Sequence, residues 1–333
     1  MTINVGINGF GRIGRLALRA AWKSELINIV HINEVAGNAE AAAHLLKFDS
    51  VHGTWDNNIS ATDNQLIIDD SKIGYSMLES VQNPAWSKAG VDLVIDCSGR
   101  FKTESCVAPF LEQGIKRVVV SAPMKDETLN VVMGVNDHLY KDQPVVSAAS
   151  CTTNCLAPVV DVLQKTFGIK HACITTIHDL TNTQSVLDEY HTDLRRSRAS
   201  GMSLIPTTTG SATAITRIFP ELKDRINGLA VRVPLANASL TDAVFELNQS
   251  VSAEAVNAAL KEAANTRLRG ILGVEDRPLV SVDYTNDTRS GIVDSLSTMV
   301  INETQVKVLI WYDNEIGYVQ RMMELAEKAA LSI

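Results

Sequence analysis

A thiol at a helix start, an imidazole at a strand end and a glycine turn are the groups along this chain best placed to do chemistry. Cys151 follows Ser150 in the run Ser150-Cys151-Thr152-Thr153-Asn154-Cys155, at the opening of a predicted helix over 152–164. Unpaired N–H groups and the dipole at a helix N-terminus stabilise a thiolate. A thiolate attacks an aldehyde carbon to give a thiohemiacetal; once a base removes its hydroxyl proton, hydride leaves and a thioester remains. His178 is the leading candidate for that base, because it ends a predicted strand over 172–177 and opens a long polar stretch. Position alone leaves blander readings open. Free cysteines are most often small buried packing residues, and His178 taken by itself reads first as a hydrogen-bonded structural histidine. Cys155 reads as packing, since C-x-x-x-C lacks zinc spacing and no matching Cys/His pair follows, so no metal site is expected. Cys97, Cys106 and Cys173 lie in or beside apolar runs and are expected in the core.

Gly9, Gly11 and Gly14 form G-x-G-x-x-G directly after a predicted strand (3–8) and at the start of a predicted helix (13–22). The first glycine allows a tight turn, the second lets backbone approach a pyrophosphate, and the third lets helix pack on strand. N–H groups near Arg12 and Ile13 then face the phosphates. Glu34 stands twenty residues after Gly14 (34 − 14 = 20), where a carboxylate accepts hydrogen bonds from the adenine ribose and repels a 2′-phosphate. NAD is therefore the expected cofactor. The alternatives are a glycine turn that binds nothing and a solvated strand-end carboxylate.

In the second half, Pro206-Thr207-Thr208-Thr209-Gly210 leads into a helix near Ala212, a pattern suited to phosphate. Arg195, Arg196 and Arg198 precede it; a solvated loop or a subunit salt bridge would explain them equally well. Arg232 lies between Val231 and Val233 on a predicted strand, and an arginine there is costly to bury unless it meets an anion.

The elements that must hold these groups change rhythm near Ser147. Before it, short apolar strands (27–32, 93–95, 118–120, 131–133, 145–146) and helices such as 39–46 alternate, which predicts a parallel sheet with right-handed crossovers. After it come the polar stretch 179–210, longer strands at 230–233, 242–247 and 306–311, and helices at 253–264 and 318–331. The expected fold is α/β: a Rossmann-type parallel-sheet nucleotide domain over 1–150 and an α+β catalytic domain with a mostly antiparallel sheet over 151–314. At 333 residues, two domains are the default. With 45% hydrophobic and 20% charged residues the composition is that of an ordinary globular protein. A net charge of −8 argues against nucleic-acid or anionic-membrane binding, so an anionic substrate needs a local cluster of donors. No run reaches transmembrane length, and no secretory signal opens the sequence. Five cysteines, an odd number, then point to reduced thiols and a cytoplasmic location.

Taken in order, INGFGRIGR, LLKFDSVHG, SAASCTTNCLAPV, ITTIHDLTNTQ, HTDLRRSRAS, IPTTTGSATA, AVRVPLANASLTD and YDNEIGY closely resemble the glyceraldehyde-3-phosphate dehydrogenase family, essentially from end to end. The resemblance implies a homotetramer, with the helix over 315–333 completing the nucleotide domain. It implies the glycolytic, NAD-dependent oxidation of glyceraldehyde 3-phosphate, with inorganic phosphate, to 1,3-bisphosphoglycerate. By the same resemblance Cys151 is the nucleophile and His178 its base. Ser150, Thr152, Arg196, Thr209 and Gly210 contact inorganic phosphate, and Thr181 and Arg232 the substrate's own phosphate. Arg12, Ile13, Glu34, Ser121 and Asn314 contact the nucleotide, with Asn314 at the nicotinamide amide, and a loop over about 179–201 lines the cofactor pocket at a subunit interface. Several positions depart from the family pattern. Glu34 stands where Asp is commoner, Ile316 where Trp is usual, Arg100 where a small apolar residue is usual, and Gln82-Asn83-Pro84 lacks the Arg-Asp of the loop near adenine. Erythrose-4-phosphate dehydrogenase is the nearest rival, but its anion loop lacks the TTTG pattern. HDLTNTQ and GMSLIPTTTGSATAITRIFPEL also resemble a bacterial branch that accepts arsenate in place of phosphate, giving 1-arseno-3-phosphoglycerate.

Overall fold

The computed structural model describes residues 2–82 and 84–333, so the Asn83 position of the adenine loop lies outside the described residues. The chain divides into two compact units, one running to Ala149 and taking in Val319–Ile333, the other Ser150–Tyr318.

The first unit is built on eight strands: β1 (Ile3–Asn8), β2 (Ile27–Asn33), β3 (Ile59–Thr62), β4 (Gln65–Ile68), β5 (Ser71–Ser76), β6 (Leu93–Asp96), β7 (Arg117–Val120) and β8 (Val145–Ser147). Their order is β3-β4-β5-β2-β1-β6-β7-β8. From β5 to β8 every pairing is parallel, while β3, β4 and β5 form an antiparallel ribbon at one edge. Near-continuous apolar runs such as Leu93–Asp96 suit strands covered on both faces, and all four residues of β6 are buried. Helix α1 (Arg12–Ala21) buries Leu16, Ala17, Leu18 and Ala21. It is followed by α2 (Ala39–Lys47), α3 (Pro84–Lys88) and α4 (Glu104–Leu111). Trp86, Val107 and Phe110 pack with Val94, Val118 and Val120 into one core cluster. Because β2 and β6 flank β1, the chain reverses its winding there and opens a crevice at the strand ends, where the glycine turn sits.

One expected strand is absent. Residues 131–133 form no ladder beyond a single bridge between Asn130 and Ser147. The Asn136 side chain explains this, since its Oδ1 accepts from Val132 N at 2.7 Å and its Nδ2 donates to Asn130 O at 2.9 Å. It occupies main-chain groups that a ladder would need.

The second unit carries β9 (Ile169–His178), β10 (Ile205–Thr208), β11 (Ile226–Arg232), β12 (Ser239–Leu247), β13 (Leu272–Glu275), β14 (Gly291–Asp294), β15 (Met299–Ile301) and β16 (Gln305–Tyr312). The order is β10-β11-β9-β12-β16-β14-β13, with β15 beside β16. Pairings are antiparallel except β11 with β9 and β13 with β14. Helices α5 (Cys151–Thr166), α6 (Ser211–Ile218) and α7 (Ala253–Asn265) belong to this unit, and α8 (Ile316–Ala330) begins in it. Strict alternation of burial along β12 is the signature of a sheet with one packed face. The same alternation overturns the expectation that Cys173 is core: Ala172 and Ile174 point inward and Cys173 is exposed on β9. Cys106 is exposed too, because short α4 buries its Val107 and Phe110 and turns the thiol the other way. Cys155 is buried as expected, whereas Cys97 is only partly buried. The polar stretch after His178 is not wholly irregular, since it contains β10. Among the described residues no helix is long and apolar enough to cross a membrane.

Candidate active site

Four strand ends and one helix start converge in the second unit. Parallel pairing of β11 with β9 sets Arg232 beside His178, and antiparallel pairing of β12 with β16 brings Tyr312 to the same end. Into this end comes the start of α5. Ala149 has a left-handed φ of +57°, a conformation uncommon for a residue other than glycine. Ser150 then caps α5, its Oγ accepting from Thr153 N at 3.2 Å. The cap leaves Cys151 as the first helical residue, with its Sγ 3.7 Å from His178 Nε2. Thr152 is buried, with its Oγ1 bonded to the Tyr312 hydroxyl at 2.9 Å. The Tyr312 ring meets His178 edge-on, centroids 6.2 Å apart.

His178 is 5% exposed. Burial acts to lower its proton affinity, but contact with Asp179 and with the Cys151 sulfur outweighs that and raises it to about 9. The balance is a thiol and an imidazole able to exchange a proton, with the ring favoured as the cation. Arg232 Nη1 lies 2.8 Å from His178 Nδ1 and donates to Asp179 O at 3.0 Å, while its Nε is buried without a hydrogen bond among the described residues. Burial, and the charge of nearby Arg196, depress Arg232. Two guanidinium groups sharing one neighbourhood repel each other and favour an anion between them.

The other residues expected at anions lie on the loop after His178, on β10 and before α6, and the pairing of Ile205 with Arg232 and of Thr208 with Leu229 sets Thr209 and Gly210 beyond the far end of β10 from Arg232. Arg196 Nε donates to Thr207 Oγ1 at 2.9 Å, and Thr207 in turn donates to Asp193 Oδ2 at 2.8 Å. Gly210 precedes α6, and a Cβ there would meet nothing within 4 Å. Thr209 bonds Ser211, and Thr181 bonds Thr183 and Gln184. The hydrogen bonds of these two threonines thus run within their own loops rather than to the Cys151–His178 pair. Asn314 is 7% exposed, with an Oδ1 that meets no donor among the described residues.

In the first unit, Gly9 takes φ +87°, and a Cβ there would lie 2.6 Å from Ser98 N. At Gly14 it would lie 2.2 Å from Gly9 O, whereas Gly11 faces open space. That combination of tight turn, open approach and close helix packing is what a pyrophosphate cradle requires. Glu34 Oε2 accepts from Phe10 N at 2.5 Å and Oε1 from Ala36 N at 2.8 Å, which fixes the carboxylate at the turn. Arg12 is held by Asp49 at 2.6 Å, and Ile13 follows it at the start of α1. Ser121 N donates to Asp96 O at 2.9 Å, placing Ser121 beside the end of β6. A cleft of about 240 Å³ borders Gly9, Gly11, Glu34, Leu78, Ser98 and Phe101. A larger groove of about 560 Å³, along α2 and β3, contains none of the turn residues; chemistry rather than size identifies the nucleotide cleft. These residues fit a dinucleotide.

Three neighbours of these groups escaped the sequence reading. Tyr312 fell just past the predicted strand over 306–311. Asp179 looked like the first residue of a loop, although an acid directly after a strand-end histidine is a usable signal. The third is a buried chain beneath the glycine turn: Asn8 Nδ2 donates to Asp96 Oδ1 at 2.7 Å and Asn33 Nδ2 to Asn8 Oδ1 at 3.1 Å. Burial pushes Asp96 up to about 6.

Comparison with known proteins gives one answer. Residues 3–104 match the model of the glyceraldehyde 3-phosphate dehydrogenase NAD binding domain, and residues 150–314 that of the C-terminal domain. The chain is 58% identical over 336 residues to glyceraldehyde-3-phosphate dehydrogenase 3 of Nostoc sp., covering 100% of both chains. It is 49% identical to glyceraldehyde-3-phosphate dehydrogenase of Geobacillus stearothermophilus, covering 98% of each. It is 48% identical to glyceraldehyde-3-phosphate dehydrogenase 1 of Bacillus subtilis, again covering 98% of each.

Proposed function

The chain belongs to the glyceraldehyde-3-phosphate dehydrogenase family, and on that premise we propose that Cys151 and His178 carry its NAD-dependent oxidation of glyceraldehyde 3-phosphate. The observation supporting these roles is the 3.7 Å approach of Sγ to Nε2 at the capped start of α5.

His178 takes the sulfur's proton at Nε2, and the sulfur attacks the aldehyde carbon to form a thiohemiacetal. The same nitrogen lends its proton to the new oxygen and removes it again as the carbon is oxidised, leaving a thioester on Cys151. When bound, NAD supplies the two-electron acceptor. In this reading Gly9, Gly11, Arg12, Ile13, Gly14, Glu34 and Ser121 hold the nucleotide, and the unpartnered Asn314 Oδ1 receives the nicotinamide amide. Thr181 and Arg232 grip the substrate phosphate. Ser150, Thr152, Arg196, Thr209 and Gly210 hold inorganic phosphate, the proposed acceptor of the acyl group.

A homotetramer is proposed as the working form. It is supported by the exposed apolar side chains of Val186, Leu187, Tyr190, Leu194, Met202 and Leu204 in the loop after His178, a concentration typical of a surface that another chain covers. A reducing, cytoplasmic setting accords with five free cysteines.

Cys151→Ser tests the assignment. Aldehyde oxidation should fall by about 10⁴-fold or more while NAD binding persists; near-normal turnover would remove Cys151 as the nucleophile. Single turnovers with phosphate and with the near-isosteric arsenate then identify the acceptor, with phosphate expected to be at least as fast.

A further inference from the structure

We propose that Asp179 is a positioning residue for this reaction, holding His178 in the tautomer and orientation that present Nε2 to the Cys151 sulfur; this rests on His178 serving as the base described above. The chain turns at the end of β9 so that the residue after the histidine folds back against its ring. The Asp179 carboxylate is 0% exposed, with Oδ1 2.8 Å from His178 Nδ1. The main-chain oxygen of the same residue lies 2.9 Å from that nitrogen. Two acceptors from one residue favour a proton on Nδ1, against the Arg232 donor at the same nitrogen, and Nε2 faces the sulfur at 3.7 Å.

Packing does not explain a carboxylate at this point. Apart from the approach of Oδ1 to His178 Nδ1, neither of its oxygens makes an aligned hydrogen bond among the described residues, and burying such a charge is costly unless a cation stands against it. The corner itself is fixed independently, because Asp179 N donates to Ser239 Oγ at 3.1 Å. What the carboxylate adds is a negative charge on the far side of the ring from the thiol.

Each charged neighbour of the pair has a definite effect. Cys151, from α5, and Asp179 favour the imidazolium, while Arg232, from β11, opposes it. Burial and Glu315, just beyond β16, raise the proton affinity of Asp179, and His178 lowers it. Tyr312, from β16, is itself driven up by burial and by the Cys151 sulfur. Arg232 Nη1 competes with Asp179 for Nδ1 at 2.8 Å. An anion that draws Arg232 towards itself leaves Nδ1 to Asp179, so binding a phosphorylated aldehyde strengthens the base.

Asp179→Asn removes the charge at constant size, and Asp179→Glu retains it. In Asp179→Asn, kcat should fall on the order of 10-fold to 100-fold while KM for glyceraldehyde 3-phosphate stays within roughly twofold. The upper step in the pH dependence of Cys151 alkylation by iodoacetamide, which reports loss of the His178 proton, should move down by about one unit or more. Asp179→Glu should restore part of kcat and of that step. An unmoved alkylation profile, whether kcat is retained or is lost together with thermal stability, would overturn the proposal. If Asp179→Asn does not fold, Asp179→Ser, which also removes the charge, takes its place, and an upper step identical to wild type in that variant would contradict the proposal. Full turnover by Cys151→Ser would instead show that the underlying site assignment is at fault.

Discussion

Arg232 illustrates how one residue can be read at two levels. Between two valines it looked costly to bury, and it is in fact half-buried, with its Nε lacking a hydrogen bond among the described residues and one Nη against the His178 ring. If it grips the substrate phosphate, Arg232→Ala should cost about 2–4 kcal/mol in kcat/KM for the phosphorylated aldehyde, and much less for an unphosphorylated analogue. Equal losses in steady-state assays of both substrates would remove that role. His178 makes a second prediction at this scale. Its proton affinity is raised from the ordinary 6.5 to about 9, against burial, by Asp179 and Cys151. The stability this contributes is complete below about pH 6.5 and is lost as pH rises through about 9. Between pH 7 and 9.5 the wild-type unfolding midpoint should therefore fall more steeply than that of His178→Asn; parallel curves would contradict the raised affinity. The positions of Cys151, His178, Glu34 and the three glycines, at or near the junctions of strands with helices or loops, were legible from spacing. Asp179 and Tyr312 were not, because their contacts join residues through a turn and across a sheet that no linear spacing reveals.

The glycine turn shows why elements, rather than single residues, make a site. Gly14 lets α1 pack on β1, since a Cβ there would lie 2.2 Å from Gly9 O, while Gly11 faces open space. The two should therefore separate packing from binding. Gly14→Ala is expected to destabilise the protein by about 1–3 kcal/mol. Gly11→Ala should leave chemical denaturation nearly unchanged yet weaken NAD binding by roughly tenfold or more, measured by fluorescence titration. Equal effects of the two substitutions on stability would refute this division. Long elements with clear periodicity, such as α7, β12 and β16, were visible in the sequence to within a few residues. The ribbon of β3, β4 and β5 was not, since strands of four to six residues with mixed burial carry too little pattern. The false strand at 131–133 had the apolar pattern but lost its ladder to the Asn136 side chain.

Across the whole molecule, a net charge of −8 means that an anionic substrate and cofactor are captured by local donors rather than by long-range attraction. Binding should also appear as stability. NAD at about one hundred times its Kd should stabilise the protein by roughly 2.7 kcal/mol and raise the thermal midpoint by several degrees. NADP at the same concentration should do far less, because its 2′-phosphate meets Glu34; equal shifts would count against Glu34 as the selector. The central claim is that an acyl group passes through the sulfur of Cys151, and it can be examined directly. Enzyme mixed with glyceraldehyde 3-phosphate and NAD in the absence of phosphate, then quenched in acid, should yield a hydroxylamine-labile adduct on the peptide containing Cys151 by mass spectrometry. An adduct on any other peptide, or rapid turnover with no adduct at all, would contradict the account.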